Sequence, residues 1–208
     1  MPTPDPPVVY QLRIRLEGIS PLIWRRLLVT GETSIANLHT IIQTAFGWTD
    51  SHLHRFVIHG KSYGITYPGG MSFADDPTQV GLADFRFRTR ERFFYEYDFH
   101  VLWRHEIRVE QILPLTAVQR SPVCIGGARA APPEECDGPR AFLALRQHYH
   151  PLHVIERLLA LLDGDEHDDG HAELQTLRYW AAVNRCDRRS INRQLCQADG
   201  TTPGSEAR

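Results

Sequence analysis

The sequence is almost without lysine: Lys61 stands alone, and the other positive side chains are arginines. That excludes a lysine-rich polybasic surface and leaves guanidinium groups, which recognise phosphate or carboxylate through paired N–H donors. A large charge of one sign is missing as well. The formal net charge is -2 over 208 residues, which excludes a globally basic nucleic-acid binder and leaves room only for a local basic patch. No run approaches the ~20 apolar residues of a membrane-spanning helix. The opening "MPTPDPPVVY" has neither the charged nor the apolar region of a secretion signal. The expectation is a cytoplasmic protein with reduced cysteines and no membrane partner. Cysteine is scarce too, with four in the chain and none in the C-x-x-C spacing of a zinc ribbon. "CIGGARAAPPEEC" therefore reads as a turn-rich loop rather than a metal knuckle or a disulfide loop. A phosphate-cradling P-loop, a dinucleotide fingerprint and a G-x-S-x-G elbow are all absent, so no reaction class is indicated.

What is present suits one packed domain. A 42% hydrophobic and 10% aromatic content supports a proper core. Residues 1–9 and 197–208, rich in proline and in small polar residues, read as disordered ends around a single domain over 10–196. "YQLRIRLEG" alternates Leu12, Ile14 and Leu16 with Arg13, Arg15 and Glu17, the pattern of a half-buried strand. "IWRRLLVT" reads as its hairpin partner. Thr33 or Ser34 can cap a helix whose apolar positions are Ile35, Leu38, Ile41, Ile42 and Ala45, with Gly47 placed to end it. "HLHRFVIHG" and "KSYGITY" supply two more strands, giving a β-grasp-like order of strand, strand, helix, strand, strand. "PGGMSFADDPTQVGLAD" reads as a surface loop. "FFYEYDF" and "LWRHEIRVEQIL" read as an antiparallel hairpin, and the chain turns helical from about Pro139. The expected class is α+β: an antiparallel or mixed sheet with a β-grasp-like N-terminal core and C-terminal helices.

Five segments in order, "YQLRIRLEGISPLIWRRLLV", "LHTIIQTAFGWTDSHLHRFVI", "YEYDFHVLWRHEI", "CIGGARAAPPEECDG" and "RRSINRQL", together resemble the plasmid pRiA open-reading-frame-three family, also labelled the insertion-element passenger TnpR family. The resemblance runs from about Tyr10 to about Leu195. It implies an α+β protein of a group often found near plasmids and transposons, with no assigned reaction. The resolvase-like label is a genomic address here, because the chain opens on a hairpin and no basic DNA-binding module follows. The resemblance also implies Gly-Asp where this chain has His100-Val101. Val101 is β-branched and resists a tight turn with positive φ, so an altered turn is expected.

Two candidate sites follow. His52 and His54, two apart at a strand start, are expected on one face near Asp98 and His105 of the hairpin. Three imidazoles and a carboxylate suit zinc or another divalent metal, although no cofactor is predicted from the pattern itself. The plain alternative is packing histidines and an Asp98 bonded to turn backbone. The second candidate is a surface for a macromolecular partner, protein or nucleic acid. Its expected contacts are Trp24, Arg25, Arg26, Trp48, Trp103 and the segment Pro132, Pro133, Glu134. Arg86, Arg88, Arg90 and Arg92 are expected to alternate along one extended face, where they could follow a phosphate backbone or pair with glutamates across strands. The acidic "DGDEHDDGH" fails the calcium-loop template, because Asp168 stands where that loop needs glycine. The leading expectation is a binding or regulatory module; a metal-dependent enzyme built on the four candidate ligands is the alternative.

Overall fold

The computed structural model describes residues 6–66, 72–115, 122–162 and 170–198. The acidic break at 163–169 and the tail from 199 lie outside the described residues.

Seven strands form one sheet: β1 (Val8–Leu16), β2 (Trp24–Thr30), β3 (His54–Ile58), β4 (Lys61–Tyr63), β5 (Arg92–Tyr97), β6 (Trp103–Pro114) and β7 (Val123–Ala128). Their spatial order is β4-β3-β5-β6-β1-β2-β7, and each pairing is antiparallel. The choice between an antiparallel and a mixed sheet thus resolves to antiparallel, and the class is α+β. β1 begins inside the stretch expected to be disordered, because Val8 and Val9 pair with Pro114 and Leu113. The β5–β6 hairpin lies between β3 and β1, so it completes the sheet that the N-terminal elements begin.

Between β2 and β3 runs α1 (Ile35–Phe46). The Ser34 hydroxyl accepts from the Asn37 N–H at 3.1 Å, and Gly47 closes the helix at φ 71°. The helix presents Ile35, Leu38 and Ile42 to the sheet, and this face also carries His39 and Gln43, both buried. The C-terminal helices are α2 (Gly138–His148), α3 (Pro151–Leu162), α4 (Gly170–Ala182) and α5 (Arg188–Ala198). Among the described residues no helix is long and apolar enough to cross a membrane.

All four cysteines are free thiols. On the outer edge of β7 the Asn192 side-chain amide accepts from the Cys124 N–H at 2.7 Å and donates to the Cys124 carbonyl at 3.1 Å, so α5 continues the ladder at that residue. The Gly-Gly pair of β7 serves close approach rather than unusual backbone angles: a Cβ on Gly127 would lie 2.5 Å from the Cys186 sulfur.

The β5–β6 turn differs from the implied Gly-Asp pattern in an instructive way. Positive φ falls on Asp98 (52°) and Leu102 (56°), not on Val101. The Asp98 carboxylate steadies the turn by accepting from the His100 N–H at 3.0 Å. Val101 packs instead on Gly138, where an added Cβ would meet it at 3.0 Å.

Candidate functional site

Side chains alternate across the sheet, so each strand sends one set under α1 and the other outward. The outward set is ionic. Arg92 pairs with Arg108, Arg108 with Arg13, and Arg13 with Arg26, in register across β5, β6, β1 and β2. Four arginines thus stand in one line, about 4.8 Å apart from strand to strand. Like charges placed directly opposite are unfavourable, and carboxylates in the adjacent rows offset part of the cost. Glu106 binds Arg15 at 2.9 Å and Arg92 at 3.2 Å, and Glu110 binds Arg26 at 2.6 Å. Glu96 holds Arg55 at 2.7 Å and Arg104 at 3.5 Å, and Arg104 also reaches Glu17 at 3.7 Å. Arg15 and Arg26 hold the Glu106 and Glu110 carboxyls below their ordinary range by direct hydrogen bonds. Arg13 and Arg108, at the centre of the line, have no carboxylate within ion-pair distance among the described residues. Their Nε atoms are buried without a hydrogen-bond partner. Trp24 lies beside this centre, with the Arg13 and Arg26 guanidinium groups 5.1 and 5.2 Å from its ring.

The arginines of 86–92 do not form the extended row expected of them. Arg86 and Arg90 adopt positive φ of 48° and 74°, so the segment turns instead of running straight. Of these arginines, Arg92 alone lies in a strand and joins the line of four.

The inward set is aromatic and imidazole-rich. His39 of α1 stacks on His54 of β3, with centroids 3.5 Å apart and planes within 7°. The Tyr95 hydroxyl lies 2.8 Å from His39 Nδ1 and accepts from Gln43 Nε2 at 2.7 Å. Gln43 Oε1 accepts from the Asp50 N–H at 3.2 Å, and Asp50 Oδ1 lies 2.8 Å from His39 Nε2. Among the described residues, His39, Asp50 and His54 form the one set of three or more histidine, cysteine or acidic side chains whose ligand atoms all lie within 4.8 Å of one another. Burial lowers His39 to about 4; burial, with His39 adding to it, lowers His54 to about 3. Burial raises Asp50, and the nearby Glu134 adds to the rise.

The four expected ligands are placed differently. His54 belongs to the set just described. His52 precedes β3 and is half-buried, with Nε2 3.8 Å from both Asp98 and Glu135. His105 is fully buried against Phe46, Trp48 and Tyr95, and burial lowers it to about 3. His52 thus lies just outside β3, edge-on to Tyr97, whereas His54 is the first residue of the strand.

Several expected contact residues are structural. Trp103 is fully buried and Trp48 nearly so, with the Trp48 indole N–H donating to the Pro132 carbonyl at 2.9 Å. Arg25 is 3% exposed and donates to the Ala45, Trp24 and Ala128 carbonyls, which ties the end of α1 to β2 and the end of β7. Glu134 accepts from the Thr49 N–H and hydroxyl at 2.7 and 2.8 Å and from the Tyr97 hydroxyl. It therefore braces the loop carrying Asp50 rather than the start of α2. Pro132 is buried and Pro133 exposed, at an open cleft of about 530 Å³ that also includes Tyr179 and Trp180. Trp24 and Arg26 remain at the surface.

The model of the family described as plasmid pRiA4b ORF-3-like protein matches residues 8–192, nearly the whole described chain. The chain belongs to the plasmid pRiA4b ORF-3-like family. Within this similarity, an uncharacterized protein of Sinorhizobium fredii (strain NBRC 101917 / NGR234), y4hQ, is 30% identical over 132 residues, covering 63% of this chain and 68% of that protein. The crystal structure of MM3350, a protein of unknown function from Methanosarcina mazei Go1, superposes with a TM-score of 0.62 at 30% identity, covering 78% of this chain and 92% of that one. Neither of these similar proteins carries an assigned activity in its description, so a function for this chain rests on its own geometry. Sequence reasoning missed His39, Gln43 and Asp50. His39 and Gln43 carried a signal: two polar residues four apart between the apolar positions of one helix face. Asp50 carried none, since its loop is placed by Glu134 from far along the chain.

Proposed function

We propose that this chain is a cytoplasmic binding module that holds an anionic macromolecule, a single-stranded nucleic acid, against the outward face of its sheet. The observation that carries this reading is the adjacent pair Arg13 and Arg108, central in a line of four arginines and, among the described residues, without a carboxylate within ion-pair distance. Among the described residues, Arg13, Arg15, Arg26, Arg55, Arg92, Arg104 and Arg108 share this face with Glu17, Glu96, Glu106 and Glu110, so pairing among them leaves a positive surplus. Guanidinium groups at strand spacing can bridge successive phosphates, and Trp24 at the margin offers a ring to an unstacked base. The family's plasmid-derived description supports an association with mobile elements. Free thiols in all four cysteines accord with a reducing compartment.

The test is titration of a labelled single-stranded oligonucleotide at several salt concentrations. Binding is expected to tighten as salt falls, and Arg13→Gln with Arg108→Gln is expected to make the log–log salt dependence shallower by about 0.7 per arginine removed. Absence of binding at about 50 mM salt overturns the reading. So does a salt dependence that the double substitution leaves unchanged.

A further inference from the structure

On the opposite face of the sheet, independent of the arginine line, we infer that His39, Asp50 and His54 form a binding site for one first-row divalent transition-metal ion. Four observations support this. The ligand atoms of the three side chains lie within 4.8 Å of one another, close enough for one ion to reach all three after small side-chain rotations. Neither ring nitrogen of His54 has a hydrogen-bond partner, although the residue is 3% exposed. Buried polar atoms are rarely left unpaired, and such an orphan in a native structure points to a missing partner. His39 Nε2 is 2.8 Å from Asp50 Oδ1, yet it makes no hydrogen bond there. The carboxylate lies off the ring N–H direction, as expected when two ligands face a shared point rather than each other. Finally, the other nitrogen of His39 is already engaged. Tyr95 holds Nδ1, and Gln43 holds both Tyr95 and the Asp50 backbone. Metal-bound imidazoles usually have such an outer partner to set ring orientation.

The parallel stacking of the two rings does not itself converge their lone pairs. Turning the His54 ring brings a nitrogen to the ion, and because nothing bonds either nitrogen the turn breaks no hydrogen bond. Imidazole ligates a metal in its neutral form. Two imidazoles and one carboxylate suit zinc, iron, cobalt or nickel better than calcium or magnesium. Three protein ligands leave at least one coordination position open, and Asp50, 42% exposed, stands on the solvent side. Glu134 acts as a positioning residue, since it fixes Thr49 next to Asp50.

The experiment loads chelator-treated full-length protein with Co²⁺, followed by visible absorption, and then competes it with Zn²⁺. One equivalent per chain is expected, with ligand-field bands and displacement by Zn²⁺. Asp50→Asn, at an exposed position that leaves the core intact, is expected to weaken Co²⁺ binding at least tenfold and to alter the bands. His54→Phe keeps the stacked ring and is expected to abolish binding, with circular dichroism confirming the fold. No Co²⁺ or Zn²⁺ uptake by the wild-type chain at 100-fold excess overturns the inference. So does uptake whose affinity and spectrum survive in folded Asp50→Asn protein, which would put the ion elsewhere.

Discussion

On the outward face of the sheet, arginines and glutamates remain charged and half in water, whereas under α1 three histidines are buried and held neutral. Both faces come from the same strands, often from adjacent residues. His54 goes in and Arg55 out; Tyr95 goes in and Glu96 binds arginines outside; His105 goes in and Glu106 out. The outward side lowers the cost of crowded charge by pairing. The inward side lowers it by never ionising, and it keeps its polarity as hydrogen bonds to Tyr95 and as bare imidazole nitrogens. Polar groups on the two faces should therefore respond to different perturbations.

Acid gives the largest expected separation. His39, His54 and His105 are lowered by burial from an ordinary 6.5 to about 4, 3 and 3. Between those values and 6.5 the unfolded chain binds more protons than the folded one, so stability rises with pH. It is complete above about 6.5 and is lost as pH falls, at about 1.4 kcal/mol per pH unit for each histidine. The outward carboxylates Glu106 and Glu110 are lowered from 4.5, so their contribution is lost only below that value. Urea unfolding at a series of pH values should therefore show the decline beginning near 6. A decline confined to pH below 4.5 would mean that the inward histidines are not desolvated.

The same residue type can then be compared on the two sides. Glu134→Ala leaves the buried Tyr97 hydroxyl without its acceptor and frees the exposed Thr49 N–H to water, and is expected to cost about 1–3 kcal/mol. Glu110→Ala removes a partly buried pair with Arg26 and the hydrogen bond from Gln11, and is expected to cost about 1 kcal/mol. Equal costs, measured by chemical denaturation, would erase the distinction. The smallest effect belongs to Arg108→Gln. It relieves repulsion from Arg13 and Arg92 and breaks no ion pair, so stability should change by less than about 0.5 kcal/mol, in either direction.

Alternation made much of this legible in advance. β1 was readable because Leu12, Ile14 and Leu16 alternate with arginine and glutamate, and α1 because its cap, stripe and terminal glycine agree. The β5–β6 hairpin was readable for the same reason. The line of four arginines was not, because it depends on register among β5, β6, β1 and β2, which follows from the insertion of a hairpin between β3 and β1. The set His39, Asp50 and His54 was legible only in part. His54 stood out, but its neighbours come from a helix face and from a loop braced by Glu134, and strand spacing says nothing about either. Trp48, Trp103 and Arg25 looked like contact residues by type, and only packing showed that each is used internally.

The Asn192 amide on the outer edge of β7 bears on how the chain behaves in company. An open antiparallel sheet can recruit strands from neighbouring chains at either end. At one end β4 is three residues long and offers little template. At the other, Asn192 occupies both hydrogen-bonding groups of Cys124, and the Arg188 guanidinium takes the Ile125 carbonyl at 2.9 Å. One short strand and two side chains from α5 thus leave little of either edge free to pair with a neighbouring chain, so α5 occupies an edge of the sheet as well as covering its core.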